Sequence, residues 1–138
     1  MPPSSSPHRV FVSYDRHDDP FYKQLLQAWE AEVDYDFVFD SPSVARTADV
    51  DRIHRNIDAK LARASTLLVL VGARTRESPW VKWEIEKAKE RRLRLAAVKL
   101  SPHNASPQGL LGVGTAWARS FRKDHLVDAL ERATPYAP

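Results

Sequence analysis

The apolar residues of this chain fall into short runs, separated by segments in which apolar residues recur every three or four positions. Short runs bounded by turn-forming residues predict β-strands, and the longer spacing predicts α-helices. Strands are predicted at 9–14, 35–40, 66–71 and 93–100, and 116–121 could form a short fifth strand. Helices are predicted at about 20–31, from 49 or 51 to 64, at 79–92 and at 123–133. This alternation predicts a parallel sheet with helices on both faces.

The same periodicity predicts which residues are buried. Residues 67–71 are uniformly apolar, which is typical of a central strand covered on both faces. In each helix the residues spaced three or four apart should face the sheet. The predicted inward residues are Phe21, Leu25, Ala28 and Trp29 in the first helix, Ile53, Ile57 and Leu61 in the second, and Leu126, Val127 and Leu130 in the last.

Length and composition restrict the class of protein. With 138 residues the chain is expected to form one domain at 8–134, with a disordered tail at 1–7 and a frayed end at 135–138. Cysteine is absent, which excludes thiol catalysis and disulfides and fits a cytoplasmic protein. The net charge of +3 is spread over mixed-sign segments, so no nucleic-acid partner is predicted. No apolar run is long enough to cross a membrane, and no membrane partner is expected.

Several common functional motifs are missing. The four glycines do not form the G-x-G-x-x-G or Walker A patterns, so a Rossmann dehydrogenase or a P-loop NTPase is not indicated. A phosphorylatable receiver domain is also not indicated, because the third strand ends in Val71-Gly72-Ala73. There is no G-x-S-x-G element for a serine nucleophile. The five histidines are scattered without paired spacing, so no metal site is predicted.

The segment 77–88 carries the most suggestive chemistry. Ser78 and Pro79 read as the N-cap and first residue of a helix. Trp80 and Glu84 lie four residues apart and therefore share one helix face, while Val81, Ile85 and Ala88 form a stripe that can dock on the sheet. Glu84 could be a structural acid and the indole part of the core. The other interpretation is a ligand site.

The loops that follow the first and third strands should meet at one edge of a parallel sheet, where such sheets bind ligands. Hydroxyls, backbone amides, an aromatic ring and one carboxylate would meet there, a set that suits a nucleotide with a cleavable glycosidic bond. The candidate site residues are Ser13, Tyr14, Asp15, Gly72, Trp80 and Glu84.

Two segments resemble a known family. Residues 9–14, RVFVSY, resemble the opening strand of Toll/interleukin-1 receptor (TIR) domains, and 65–72 followed by 78–84 resemble their third strand and next helix. The block from Val71 to Ile85, with Thr75, Trp80 and Trp83-Glu84-Ile85, is similar to a hallmark of the ThsB-like TIR-like proteins of bacterial anti-phage Thoeris systems. The resemblance covers about residues 8–100.

This resemblance implies a flavodoxin-like three-layer α/β/α fold with a mainly parallel sheet of four or five strands. It also implies cleavage of NAD, as a substrate and without a cofactor, at the nicotinamide–ribose bond. Glu84 matches the catalytic glutamate and Trp80 the tryptophan of the Trp-x-x-x-Glu element, while Ser13, Tyr14 and Asp15 fall where nucleotide contacts are expected. The product implied is a cyclic ADP-ribose isomer, a messenger for a separate effector. Self-association of TIR domains is expected too.

Two other functions fit the same residues. One is a non-enzymatic TIR-like module that binds partners through homotypic contacts. The other is an enzyme of the nucleoside 2′-deoxyribosyltransferase or nucleoside hydrolase type on a related fold. Physically, NAD cleavage needs no general acid, because nicotinamide leaves as a neutral molecule and one carboxylate can stabilise the cation left on the ribose.

Overall fold

A computed structural model describes residues 8–15, 21–39 and 50–138. The predicted disordered tail at 1–7, the predicted start of the first helix near Pro20 and the predicted loop at 40–49 lie outside these residues. None of the helices formed by these residues has both the length and the apolar character of a membrane span.

The described residues form a five-stranded sheet in which every strand pair is parallel. The strands are β1 (His8–Ser13), β2 (Tyr35–Phe39), β3 (Thr66–Val71), β4 (Arg94–Lys99) and β5 (Ala116–Ala118). The helices are α1 (Phe21–Trp29), α2 (Val50–Ala62), α3 (Pro79–Glu90) and α4 (Lys123–Arg132). The strand order is β2-β1-β3-β4-β5, which confirms the predicted flavodoxin-like α/β fold and resolves the ambiguous fifth strand.

Two apolar clusters divide the molecule into three layers. Val10, Val12 and Leu68 pack with α1 and α4 on one face of the sheet. Phe11 and Leu67 pack with α2 and α3 on the other face. Successive side chains of a strand point to opposite faces, so each central strand contributes to both clusters. The uniformly apolar third strand is buried along its whole length, as its sequence predicted.

The predicted buried face of α1 is wrong at Phe21 and Ala28, whereas Trp29 packs inward as predicted. Phe21 is 51% exposed and Ala28 is exposed, whereas Leu26 is fully buried. Tyr22 and Trp29, four residues before and three residues after Leu26, pack beside it. The spacing of apolar residues in α1 allows either Phe21 or Tyr22 to face inward. Tyr22 and Trp29 both contact Phe121 on the same face of the sheet, and these contacts turn Tyr22 inward.

The other helices follow the sequence more closely. Ile53, Ile57 and Leu61 of α2 are buried, as are Leu126 and Leu130 of α4. At the C-terminus, where fraying was expected, Pro135 forms an isolated antiparallel bridge with Arg94. The next N–H, that of Tyr136, donates to the carbonyl of Leu93 at 2.9 Å. The chain is therefore attached to the start of β4 at these two residues.

One bidentate ion pair connects α2 to the residue that follows α3. The guanidinium of Arg91 donates to both carboxylate oxygens of Asp58, at 3.0 and 2.9 Å. These hydrogen bonds hold the pKa of Asp58 below its ordinary value of 3.8 and raise the pKa of the Arg91 guanidinium above its ordinary value. Both side chains are more than one-third exposed, so solvent screens the pair.

We expect Asp58→Asn to lower the free energy of unfolding at neutral pH by less than about 1 kcal/mol. A carboxylate with a lowered folded-state pKa stabilises the fold above its unfolded pKa, and this contribution disappears as the pH falls through the folded value. Urea unfolding at stepwise lower pH should therefore show the variant and the unmodified protein converging below about pH 3.8. A constant difference down to the lowest pH would contradict this account.

Candidate active site

The strand order places the ends of β1 and β3 side by side at the centre of the sheet. Chain connections leave these two strands in opposite directions, since β2 lies beyond β1 and β4 lies beyond β3. Such a switch point opens a crevice at the carboxyl ends of the strands, where open α/β sheets bind ligands. Ser13 ends β1 and pairs with Val69, and Gly72 follows β3, so both predicted loops begin at this crevice.

The loop after β3 is fastened by Thr75. The Gly72 N–H donates to the Thr75 hydroxyl at 2.7 Å, and this hydroxyl donates to the carbonyl of Leu70 at 3.2 Å. Thr75 is buried and begins a short 3-10 turn that ends at Glu77. These bonds satisfy backbone groups that the end of the strand leaves unpaired, and they set the direction in which α3 begins.

The start of α3 is capped as the sequence predicted. The Ser78 hydroxyl accepts a hydrogen bond from the Val81 N–H at 3.2 Å, and Pro79 is the first helical residue. The apolar stripe of α3 is buried against the sheet and consists of Val81, Ile85 and Ala88. Glu84 lies on this docked side, about one helical turn after Val81.

Glu84 meets Ser13 at the carboxyl end of β1. The Ser13 hydroxyl donates to Oε1 of Glu84 at 2.6 Å, and the two residues are 0% and 1% exposed. Ser13 is two residues after Phe11, which packs on the α2 and α3 side, so the strand periodicity turns both side chains toward Glu84's helix. A short hydrogen bond to a carboxylate inside a protein is stronger than its equivalent in water.

This arrangement can position a negative charge. The Ser13 donor orients the carboxylate of Glu84, and the rigid strand and the docked helix hold both partners. A fixed carboxylate in a site of low polarity stabilises a nearby developing cation more strongly than it would in water. The pair can therefore serve a reaction that passes through a cationic sugar.

The other predicted residues of the β1 loop go to different places. Tyr14 is half-buried, and its ring packs edge-on against Phe39 on the α1 and α4 side of the sheet, with centroids 6.2 Å apart. Asp15 is buried at the end of the described β1 segment. Gly72 is buried and holds the loop through its N–H, as described above. The structure thus brings Ser13 and Glu84 together and turns Tyr14 to the opposite layer.

Trp80 lies in an aromatic cluster between α2 and α3, which we define as His54, Trp80 and Trp83. The imidazole of His54 stacks on Trp83 with centroids 4.1 Å apart and planes 11° from parallel. Its centroid lies 5.5 Å from that of Trp80. Both indoles are partly buried against the apolar cluster of this face. Trp80 therefore has a packing partner that its spacing from Glu84 did not indicate.

Two residues of this region were absent from the predicted site. Thr75 is part of the motif from Val71 to Ile85, and its place in that motif was the sequence feature that could have indicated its role in the loop. His54 looked like one of five scattered surface histidines, and only the packing of α2 on α3 shows its partners. Among residues 8–15, 21–39 and 50–138, no group of three or more His, Asp or Glu side chains could hold a metal ion.

Comparison with known proteins adds two findings. Residues 11–105 match the family model described as Thoeris protein ThsB, TIR-like domain. No curated protein sequence is significantly similar to the chain.

Among solved structures, a 2-deoxyribosyltransferase from Bacillus psychrosaccharolyticus is similar with a TM-score of 0.65 and 8% sequence identity, over 94% of this chain and 99% of that one. A 2-desoxiribosyltransferase from Leishmania mexicana has a TM-score of 0.57 and 11% identity, over 69% of this chain and 66% of that one. At such identities the likeness shows a shared fold.

Proposed function

Because this chain belongs to the family of Thoeris ThsB TIR-like domains, we propose that it cleaves NAD at the nicotinamide–ribose bond. The observation that carries the proposal is the buried Ser13–Glu84 hydrogen bond at the switch point of the sheet. Glu84 is the catalytic residue of this proposal, and Ser13 is a positioning residue that acts through it.

The chemistry follows from the charges. When the bond between C1′ of the ribose and the nicotinamide nitrogen breaks, both electrons leave with the nitrogen, and nicotinamide departs as a neutral molecule. The ribose then carries the positive charge, which the Glu84 carboxylate stabilises. Water can capture the cation and lose a proton, giving ADP-ribose. A nucleophile within the same nucleotide can capture it instead, giving a cyclic ADP-ribose isomer, which is the product we propose.

The remaining predicted residues have supporting roles in this proposal. Asp15 and the amides that follow Gly72 lie next to the ends of β1 and β3, within reach of a nucleotide bound at the crevice. Tyr14 supports the end of β1 from the opposite layer, where its ring packs against Phe39. Trp80, in the first turn of α3, limits the access of water to the cation in this proposal. The site uses no metal.

The burial of Glu84 should make the turnover of NAD slow. The side chain is 1% exposed, so the substrate reaches its carboxylate only when the packing around it opens. Slow basal turnover is therefore expected, and association of two copies could raise it. In this proposal the protein acts in the cytoplasm of a bacterial cell during defence against phage, and its nucleotide product activates a separate effector.

A second candidate function is transfer of a deoxyribosyl group between bases. It is favoured by the fold that the chain shares with the two proteins named for this reaction. Both reactions break a bond between C1′ of a sugar and a nitrogen of a base, and one carboxylate can serve either. The family match over residues 11–105 favours NAD.

The two candidates are separated by supplying both substrates. The purified protein, at high concentration, is incubated either with NAD or with a 2′-deoxynucleoside and a free acceptor base, and the products are separated by chromatography. We expect nicotinamide and a cyclic ADP-ribose isomer from NAD and no base exchange. Base exchange without nicotinamide release would replace the proposal by the second candidate. If neither nicotinamide release nor base exchange is detected and the protein self-associates, the remaining function is that of an interaction module.

A further inference from the structure

A cleft of about 500 Å³ lies beside α3. Three segments form it, namely the 3-10 turn after β3, the middle of α3 and the residues around a short 3-10 turn at Gln108–Leu110. Its volume is within the usual range for small-molecule sites. The lining residues are Thr75, Arg76, Lys82, Ile85, Glu86, Pro107, Gln108 and Gly109.

The wall beside α3 depends on a glycine. A Cβ added at Gly109 would lie 2.9 Å from Cγ2 of Ile85, a distance that side chains do not tolerate. The backbone of Gly109 therefore packs directly on α3, and the next residue, Leu110, is buried in the α2 and α3 cluster. The segment after β4 is also tied to the end of β3, since the Asn104 amide donates to the Val71 carbonyl at 2.7 Å. The cleft is thus built from anchored segments.

The floor and the rim of the cleft differ in polarity. Ile85, Thr75 and Pro107 are buried beneath the cleft and form its floor. Arg76 and Lys82 are exposed at the rim, and neither takes part in an ion pair among the described residues. The acid of the rim, Glu86, lies 3.8 Å from the ammonium of Lys89. Positive charge is therefore in excess around this opening.

We propose that this cleft is a second ligand site, separate from the Ser13–Glu84 pair, and that it binds a nucleoside phosphate. Arg76 and Lys82 supply the cations that hold phosphate oxygens. The aliphatic stems of Arg76 and Lys82, above the floor formed by Ile85 and Pro107, offer apolar contact to a planar base. The Gln108 amide, which can both donate and accept, is placed to contact the polar edge of that base. The site goes beyond the proposed cleavage of NAD and does not require it.

The test is a titration followed by NMR of the 15N-labelled protein with ADP, adenosine and inorganic pyrophosphate. None of these probes contains a nicotinamide–ribose bond, so none is consumed by the proposed reaction. Binding at the catalytic crevice would shift the amides of Ser13 and Glu84 and leave those of Gln108 and Gly109 unchanged. At the cleft we expect ADP to produce saturable shifts of the amides of Lys82, Gln108 and Gly109. Adenosine and pyrophosphate should each bind at least about 10-fold more weakly, because each lacks one half of the contacts.

Two double variants give the matched comparison. Arg76→Ala with Lys82→Ala should weaken ADP binding at least about 10-fold, which is about 1.4 kcal/mol. Arg63→Ala with Arg119→Ala removes the same charge from exposed positions outside the cleft and should leave binding unchanged. Thermal melts confirm that both proteins fold. Absence of saturable shifts at the cleft, equal binding of pyrophosphate and ADP, or equal loss in both double variants would overturn the proposal.

Discussion

Glu84→Gln is expected to lower nicotinamide release from NAD by at least about 100-fold without unfolding the protein. Glutamine has nearly the shape of glutamate and keeps an oxygen that can accept the Ser13 hydrogen bond. The negative charge is lost, so the cation that develops on the ribose is no longer stabilised. Release of nicotinamide is measured by chromatography under substrate-saturating conditions, and thermal unfolding is followed in parallel.

Glu90→Gln is the matched control for this variant. Glu90 is on the same helix and loses the same charge, but it is exposed and pairs with Lys87 at the helix end. Its turnover should stay within about twofold of the unmodified protein, because surface substitutions of this kind have small effects. Undiminished turnover in folded Glu84→Gln would show that this carboxylate is structural and that the reaction uses another group.

Ser13→Ala is expected to have the second largest effect, on both stability and turnover. The variant removes a buried donor and leaves Oε1 of Glu84 without the hydroxyl that orients it. Loss of a buried hydrogen bond to a charged group costs about 1.5–3 kcal/mol, so urea unfolding should show a decrease of this size. Turnover should fall at least about 10-fold with little change in KM, since the altered carboxylate acts mainly in the transition state.

Two comparisons identify the source of the Ser13 effect. Ser65→Ala removes a hydroxyl that donates to the Arg9 carbonyl at an exposed position, and it should change stability by no more than about 0.5 kcal/mol. In the Glu84→Gln background, Ser13→Ala should cost clearly less than it does alone, because the partner is then neutral. Additive losses in the double variant would mean that the two residues act independently.

Much of the fold could be predicted because its signals are local. The apolar run at 66–71, the Ser78 cap followed by Pro79, and the Ile53-Ile57-Leu61 stripe each reflect one repeat or one backbone requirement. The face of α1 was predicted correctly at Trp29 and wrongly in its first turn, because Phe21 and Leu25 satisfy the same periodicity as Tyr22 and Leu26. The contact of Tyr22 with Phe121, in the same layer of the fold, distinguishes the two pairs.

The site was predicted in part for the same reason. Glu84 and Ser13 could be placed at one edge of a parallel sheet from the order of the elements. Their direct hydrogen bond could not, because it depends on the register of β1 against β3 and on the angle at which α3 begins. The partner of Trp80 was missed because His54 lies on a different helix, and nothing in the spacing of α2 indicates which helix it packs against.

By itself the sequence determined the order of strands and helices, the start of α3, the apolar side of that helix and the family to which the chain belongs. The tertiary structure decided which residues meet. Ser13 and Glu84 are 71 positions apart. The cleft is formed where Gly109, in the segment after β4, packs against Ile85 of α3. Patterns of period two or three to four arise within one element, whereas contacts between elements require strand order, register and close packing to be satisfied together.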